Sequence, residues 1–202
     1  MRRVFGIFVL TFVALNGQQR VADRNIDFRN FMYPFPTQRF IPVPDKLSWM
    51  SLNMKTTVRL LNGRYDFNRA EPTAGPSLSL SRVLYGYLTS GEQLDAVVVL
   101  GYHTGGTAFW YYVYAFSLES NLPRLVGWFR AGSRAGSGLY HLEVTNRALI
   151  VDLFDPERRV TESSSEGFVR TIYDFKNGYF VQSGAQEFGN IEVSLTKRPN
   201  PK

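Results

Sequence analysis

Asp95-Ala-Val-Val-Val-Leu-Gly-Tyr102, then His103-Thr-Gly-Gly-Thr107, then Ala108-Phe-Trp-Tyr-Tyr-Val-Tyr-Ala-Phe-Ser-Leu118 is the stretch that decides the fold class. Both arms are rich in β-branched and aromatic residues, which suit a pleated surface. Between them, Gly105 and Gly106 can take positive φ without a Cβ clash, so the chain can reverse there. The stretch predicts the central hairpin of an antiparallel sheet. Along the second arm Phe109, Tyr111, Val113, Ala115 and Ser117 share one face, and Trp110, Tyr112, Tyr114, Phe116 and Leu118 share the other. Neither face is polar, which predicts cover on both.

The flanking sequence continues in the same style. Thr56-Thr-Val-Arg-Leu-Leu61 and Arg64-Tyr-Asp-Phe67 flank Asn62-Gly63, the best short hairpin signal in the chain. Leu78-Ser-Leu-Ser-Arg-Val-Leu-Tyr85 alternates over its first half and turns through Thr89-Ser-Gly-Glu92 into the Asp95 arm. Further strands are expected at Arg124-Leu-Val-Gly-Trp-Phe129, Leu139-Tyr-His-Leu-Glu-Val144, Ala148-Leu-Ile-Val-Asp-Leu-Phe154, Val169-Arg-Thr-Ile-Tyr-Asp-Phe175 and Tyr179-Phe-Val-Gln182. Ile26-Asp-Phe-Arg-Asn-Phe-Met-Tyr33 reads as a first short strand, and the acidic, Ser-rich residues 155–167 as a mobile segment. About nine or ten short strands, with turn signals roughly every 8 to 12 residues, predict an all-β, single-domain antiparallel sheet, sandwich or barrel-like. At most one short helix is expected, within residues 44–54, where Leu47 and Met50 share a face.

The chain divides by composition. Arg2 and Arg3 precede an apolar run from Val4 to Leu15, and the sequence then turns polar, which is the pattern of a secretory signal peptide over residues 1–17. The run is short for a membrane span, so no stable transmembrane segment is expected after cleavage; an uncleaved anchor is the alternative. Residues 18–55 read as an irregular Pro-rich segment packed on the domain, residues 56–195 as the antiparallel β domain and residues 196–202 as a polar tail.

At 202 residues, 44% of them apolar and 15% aromatic, the chain can bury one good core. Its 23 Lys and Arg exceed 17 Asp and Glu, for a net charge of +6, but they are scattered singly and no nucleic-acid-reading module is present. Nucleic acid is therefore not an expected partner. The chain has no cysteine, which excludes disulfides and lipid attachment through cysteine. In an exported protein this favours a bacterial envelope, and the expected location is secreted or periplasmic.

Residues 83–99, Val83-Leu-Tyr-Gly-Tyr-Leu-Thr-Ser-Gly-Glu-Gln-Leu-Asp-Ala-Val-Val-Val99, resemble one unit of the FG-GAP or VCBS type, a short acidic turn before an aliphatic strand. In such units the turn is Asp-rich and can bind calcium. Here it offers Glu92 and Asp95, with Tyr85 and Tyr87 where carboxylates would stand, so the resemblance implies a strand-turn-strand, while too few carboxylates stand in the turn to expect the calcium of such units. Over residues 56–182 the order of turns and strands resembles secreted bacterial proteins of unknown function, a likeness that implies no activity.

Three functions remain open on these residues. The first is a non-catalytic binding or envelope-associated module without cofactor, holding a protein, peptide or glycan of the cell envelope through His103, Trp110, Tyr112, Tyr114 and Arg134. Phe116 and Leu118 share the face of those tyrosines and would be costly to expose, which favours core over an open face for most of that row. The second is a small secreted hydrolase using His103 or a pair among Glu92, Asp95, Glu143, Asp152 and Asp174. No Gly-x-Ser-x-Gly elbow occurs, although Ser133, His103 and Asp152 could assemble in space. The third is a structural subunit of an envelope assembly. No catalytic residue and no metal ligand is assigned.

Overall fold

The computed structural model describes residues 26–36, 56–68, 70, 75–119, 122–133, 137–161 and 164–191. The expected signal peptide, the expected helix within residues 44–54, most of the Pro-rich segment, Arg134 and the polar tail lie outside the described residues. In chain order the strands are β1 (Met32–Phe35), β2 (Thr56–Arg59), β3 (Arg64–Asp66), β4 (Ser77–Gly86), β5 (Asp95–His103), β6 (Phe109–Glu119), β7 (Leu122–Ala131), β8 (Leu139–Thr145), β9 (Ala148–Phe154), β10 (Arg159–Thr161), β11 (Ser164–Ser165), β12 (Gly167–Lys176), β13 (Tyr179–Gln182) and β14 (Glu187–Asn190). Among the described residues the helical elements are short 3-10 turns, and no helix is long and apolar enough to cross a membrane.

The expected hairpin forms the middle of the first sheet. β3-β4-β5-β6-β7 is an antiparallel meander in which Val99 faces Val113, Leu100 faces Tyr112 and Tyr102 faces Trp110 across β5 and β6. The second sheet runs β13-β12-β9-β8, with β14 paired to the first half of β12. β1 and β2 form a separate two-stranded ladder, as do β10 and β11. The architecture is an all-β sandwich and not a closed barrel, with more strand segments than expected, the additional ones being short.

Both faces of the hairpin are covered, each by a different part of the chain. On one, Val97, Val99, Val113, Ala115 and Phe129 pack on Leu142, Leu149, Val151 and Tyr173 of the second sheet. On the other, Val98, Leu100, Tyr112, Tyr114, Phe116 and Trp128 pack under Phe28, Tyr33, Phe35, Val58 and Leu60 of the N-terminal ladder. Each fully buried aliphatic or aromatic side chain contributes about 1.5–3 kcal/mol, so this double burial is the main source of stability.

Several elements differ from expectation for local reasons. Residues 26–33 do not form one strand: the Asp27 carboxylate accepts hydrogen bonds from Arg29 N at 3.0 Å and Asn30 Nδ2 at 2.7 Å, capping a 3-10 turn at Phe28–Asn30. The strand starts only at Met32 and runs through Pro34, which the short β1–β2 ladder tolerates. Asn62 and Gly63 do reverse the chain, with φ of 52° and 86°. Yet their arms meet only at the Leu61–Arg64 bridge, because β2 joins β1 and β3 joins β4. Residues 155–167, expected as mobile, hold a 3-10 turn capped by Asp155 and the β10–β11 ladder, where the buried Ser165 hydroxyl donates to Asp155 O at 2.7 Å.

Besides the extra Val160 in the β10–β11 ladder, three bulges redirect side chains in the two five-stranded sheets. Ser81 is an extra residue against β5, so Leu78 and Leu80 before it and Val83 and Tyr85 after it meet the same core. Val126 opposite β6 and Tyr140 opposite β9 are the others. This explains why alternation is legible only in the first half of β4.

Two substitutions test this geometry. A methyl on Gly86 would collide with the stiff Val144 side chain of the second sheet, and Gly86→Ala is expected to lower unfolding stability by about 1–3 kcal/mol in denaturant melts. Arg147, held at φ 63° beside Asn146 at φ 48° in the β8–β9 turn, gains from the opposite change. Arg147→Gly is expected to raise stability by about 1 kcal/mol, and a decrease would show that this turn is held by the arginine side chain.

Candidate functional site

Tyr112 and Tyr114 are not on an open face. At 2% and 0% relative exposure they are core residues, with Tyr33 5.7 Å from Tyr114 and Phe35 5.1 Å from Tyr112 between ring centroids. Phe116 and Leu118 share their face, and exposing that row would cost several kcal/mol, about 1.5–3 per large side chain. His103 is exposed and stands across from Phe109, on the face opposite Trp110. Its Nδ1 accepts a hydrogen bond from Gly105 N at 3.1 Å and shapes the β5–β6 loop. Of the five expected ligand residues, Trp110 and His103 therefore reach solvent on opposite sides of β5–β6, and Arg134 lies outside the described residues.

What the structure does assemble is an aromatic cluster at the loop end of the first sheet. Trp110 is half-buried and stacks on Tyr102, with ring centroids 6.0 Å apart and planes 10° apart. Tyr102 meets Tyr112 edge-on at 6.2 Å, and Phe35 and Phe67 close over Tyr102 at 5.9 and 5.7 Å. Into this cluster β7 places Arg130, which faces Tyr112 across β6 and β7. Its guanidinium carbon lies 5.3 Å from the Trp110 ring centroid, and the residue is only 8% exposed.

Arg130 is electrostatically incomplete. It hydrogen-bonds the Tyr112 hydroxyl, whose ionisation burial pushes to higher pH while Arg130 opposes the shift. No ion pair among the described residues includes Arg130, and its buried Nε has no hydrogen-bond partner there. The cation–π contact offsets the burial of the charge only in part, by about 0.5–2 kcal/mol. Two more donors on the same face, Tyr114 OH and Trp128 Nε1, are buried and equally without partners among the described residues. Register explains the grouping: Tyr112 stands opposite Arg130 and Tyr114 opposite Trp128. The arrangement suits a ligand that brings acceptor atoms into an aromatic setting.

Sequence reasoning missed Arg130. The available signal was an arginine two residues after Trp128 on an apolar strand, hence on the same face.

Asp95, Asp152 and Asp174, three of the five candidate carboxylates, are committed elsewhere. Asp152 is clamped in two directions by Arg170, with Nε–Oδ1 and Nη2–Oδ2 both 2.8 Å, on a row His141, Asp152, Arg170, Glu187 across the second sheet. Its oxygens serve Arg170 while His103 Nδ1 accepts from Gly105 N, and no hydrogen bond joins Ser133, His103 and Asp152 among the described residues. Asp174 pairs with Lys176 at 2.9 Å, and Glu92 is exposed in a turn. Asp95 is 1% exposed and locks that turn: Oδ2 accepts from Leu88 N at 2.6 Å and Thr89 N at 2.7 Å, and Oδ1 from Thr89 Oγ1 at 2.8 Å. Among the described residues no group of three or more His, Asp and Glu is placed to hold a metal ion.

No family model, curated relative or solved structure matches the chain.

Asp95 carries a stability prediction with a sign. Burial is the largest influence on its carboxyl and raises its pKa, against the hydrogen bonds from Thr89, Leu88 and Ser117. The folded state therefore holds this proton more tightly than the unfolded chain. The stability linked to Asp95 is full below the unfolded value of 3.8 and is lost as pH rises from there through the folded value. Chemical denaturation across this range is expected to show that decline in the parent relative to Asp95→Asn, which keeps an acceptor for the turn amides. Asp95→Ala strips both amides of their acceptor and is expected to cost about 2–4 kcal/mol.

Proposed function

We propose that this protein is an exported, non-catalytic binding module of the bacterial envelope, secreted or periplasmic, holding a protein, peptide or glycan at the loop end of its first sheet. The observation that carries the reading is Arg130, a nearly buried cation without an acidic partner among the described residues, set against the half-exposed ring of Trp110. A fold has no stability reason to keep such a group, whereas a binding site does. The charged and apolar run at residues 2–15 supports export, and the absence of cysteine supports a bacterial envelope.

A thermal-shift screen against cell-wall fragments, oligosaccharides and short peptides tests the proposal. A ligand that binds only the folded state is expected to raise the melting temperature, by the equivalent of about 2.7 kcal/mol at a hundredfold excess over its dissociation constant. Trp110→Ala is expected to abolish that shift while leaving the β-rich spectrum intact. An undiminished shift in Trp110→Ala moves the site away from this end of the sheet, and no shift from any class counts against a binding role.

A further inference from the structure

We infer that Arg130 receives a carboxylate from the ligand, carried on an apolar body that lies against Trp110. This rests on the reading of the loop end of the first sheet as a binding site.

The argument starts from donors and acceptors. A guanidinium has five N–H donors and no acceptor. Here the Tyr112 hydroxyl is a hydrogen-bond partner, the Trp110 ring faces the cation, and Nε is buried without a partner among the described residues. What is missing is a negative acceptor, and a planar carboxylate matches the fork of a guanidinium in charge and shape. The surroundings favour one negative charge over two. The rings around Arg130 are aromatic, Tyr102, Tyr112 and Phe35 buried and Trp110 and Phe67 half-buried, so a dianionic phosphate would meet an apolar setting and a single cation. The fold contains the saturated counterpart for comparison: Arg170 is satisfied in two directions by Asp152, with both contacts at 2.8 Å, whereas Arg130 has no such acid among the described residues. The half-buried rings of Trp110 and Phe67 give an alkyl or aryl body a place to pack.

The test is calorimetric titration of the full chain with 3-phenylpropionate, its uncharged amide and inorganic phosphate, together with melting curves of Arg130→Met and Arg130→Lys. The acid is expected to bind at least about tenfold more tightly than the amide or phosphate. Arg130→Met is expected to reduce acid binding to the level of the amide without lowering the melting temperature, because it removes a buried charge that has no acidic partner in the fold. Arg130→Lys, which keeps the charge and loses the fork, is expected to bind the acid with intermediate affinity. Equal binding of acid and amide overturns the inference and leaves the binding-module reading standing. Tighter binding of phosphate overturns the carboxylate assignment. Failure of acid and amide alike, with no shift in the ligand screen above, overturns both readings. An Arg130→Met variant melting well below the parent overturns the inference by showing that the cation is satisfied within the fold.

Discussion

The β5–β6 hairpin carries large apolar side chains on both faces, and water must be kept from each. An antiparallel pair in a two-layer sandwich normally has one wet face. Here Val97, Val99 and Val113 require one cover and Val98, Leu100, Tyr112, Tyr114 and Phe116 another. The second sheet answers the first demand. The N-terminal ladder answers the second, and the chain passes from it into the central sheet at Asn62-Gly63 instead of closing a hairpin there. Tyr33 is fixed in that layer by its hydroxyl, which donates to Phe28 O at 2.7 Å.

Polar groups taken into such an interior are mostly satisfied. Asp95 holds two turn amides and a hydroxyl, Ser165 ties the β10–β11 excursion to its neighbours, and Asp152 is neutralised by Arg170. Against that background Tyr114 OH, Trp128 Nε1 and Arg130 Nε, buried without a partner among the described residues and together on one face of β6–β7, form an exception. An unpaired buried donor costs about 1–3 kcal/mol, which is what sets these three apart from the satisfied groups around them.

The fold class was legible because strand alternation and turn chemistry are local. The central hairpin, β4, β7, β8, β9, β12 and β13 stand where apolar and β-branched runs predict them, and Asn177-Gly178 turns with φ of 55° and 86°. The β14 strand and the β10–β11 ladder were not anticipated, since Glu187–Asn190 and Arg159–Thr161 have little apolar pattern and owe their conformation to pairing partners. The candidate site was legible only in part. Trp110, Tyr112 and Tyr114 share a face by strand parity, and the structure leaves Trp110 half-buried while covering the two tyrosines; parity says that residues share a face and not how far along it the cover extends.

By itself the sequence determined a cysteine-free, all-β chain built around a doubly apolar hairpin, because side-chain period and glycine turns act over a few residues. Only the tertiary structure decided which layer covers which face, where Ser81, Val126 and Tyr140 shift the parity of their strands, and that Arg130 stands beside Trp110. These are matters of register between strands distant in the chain. Register is set by packing and bulges summed over the whole sheet, and no local pattern carries that information.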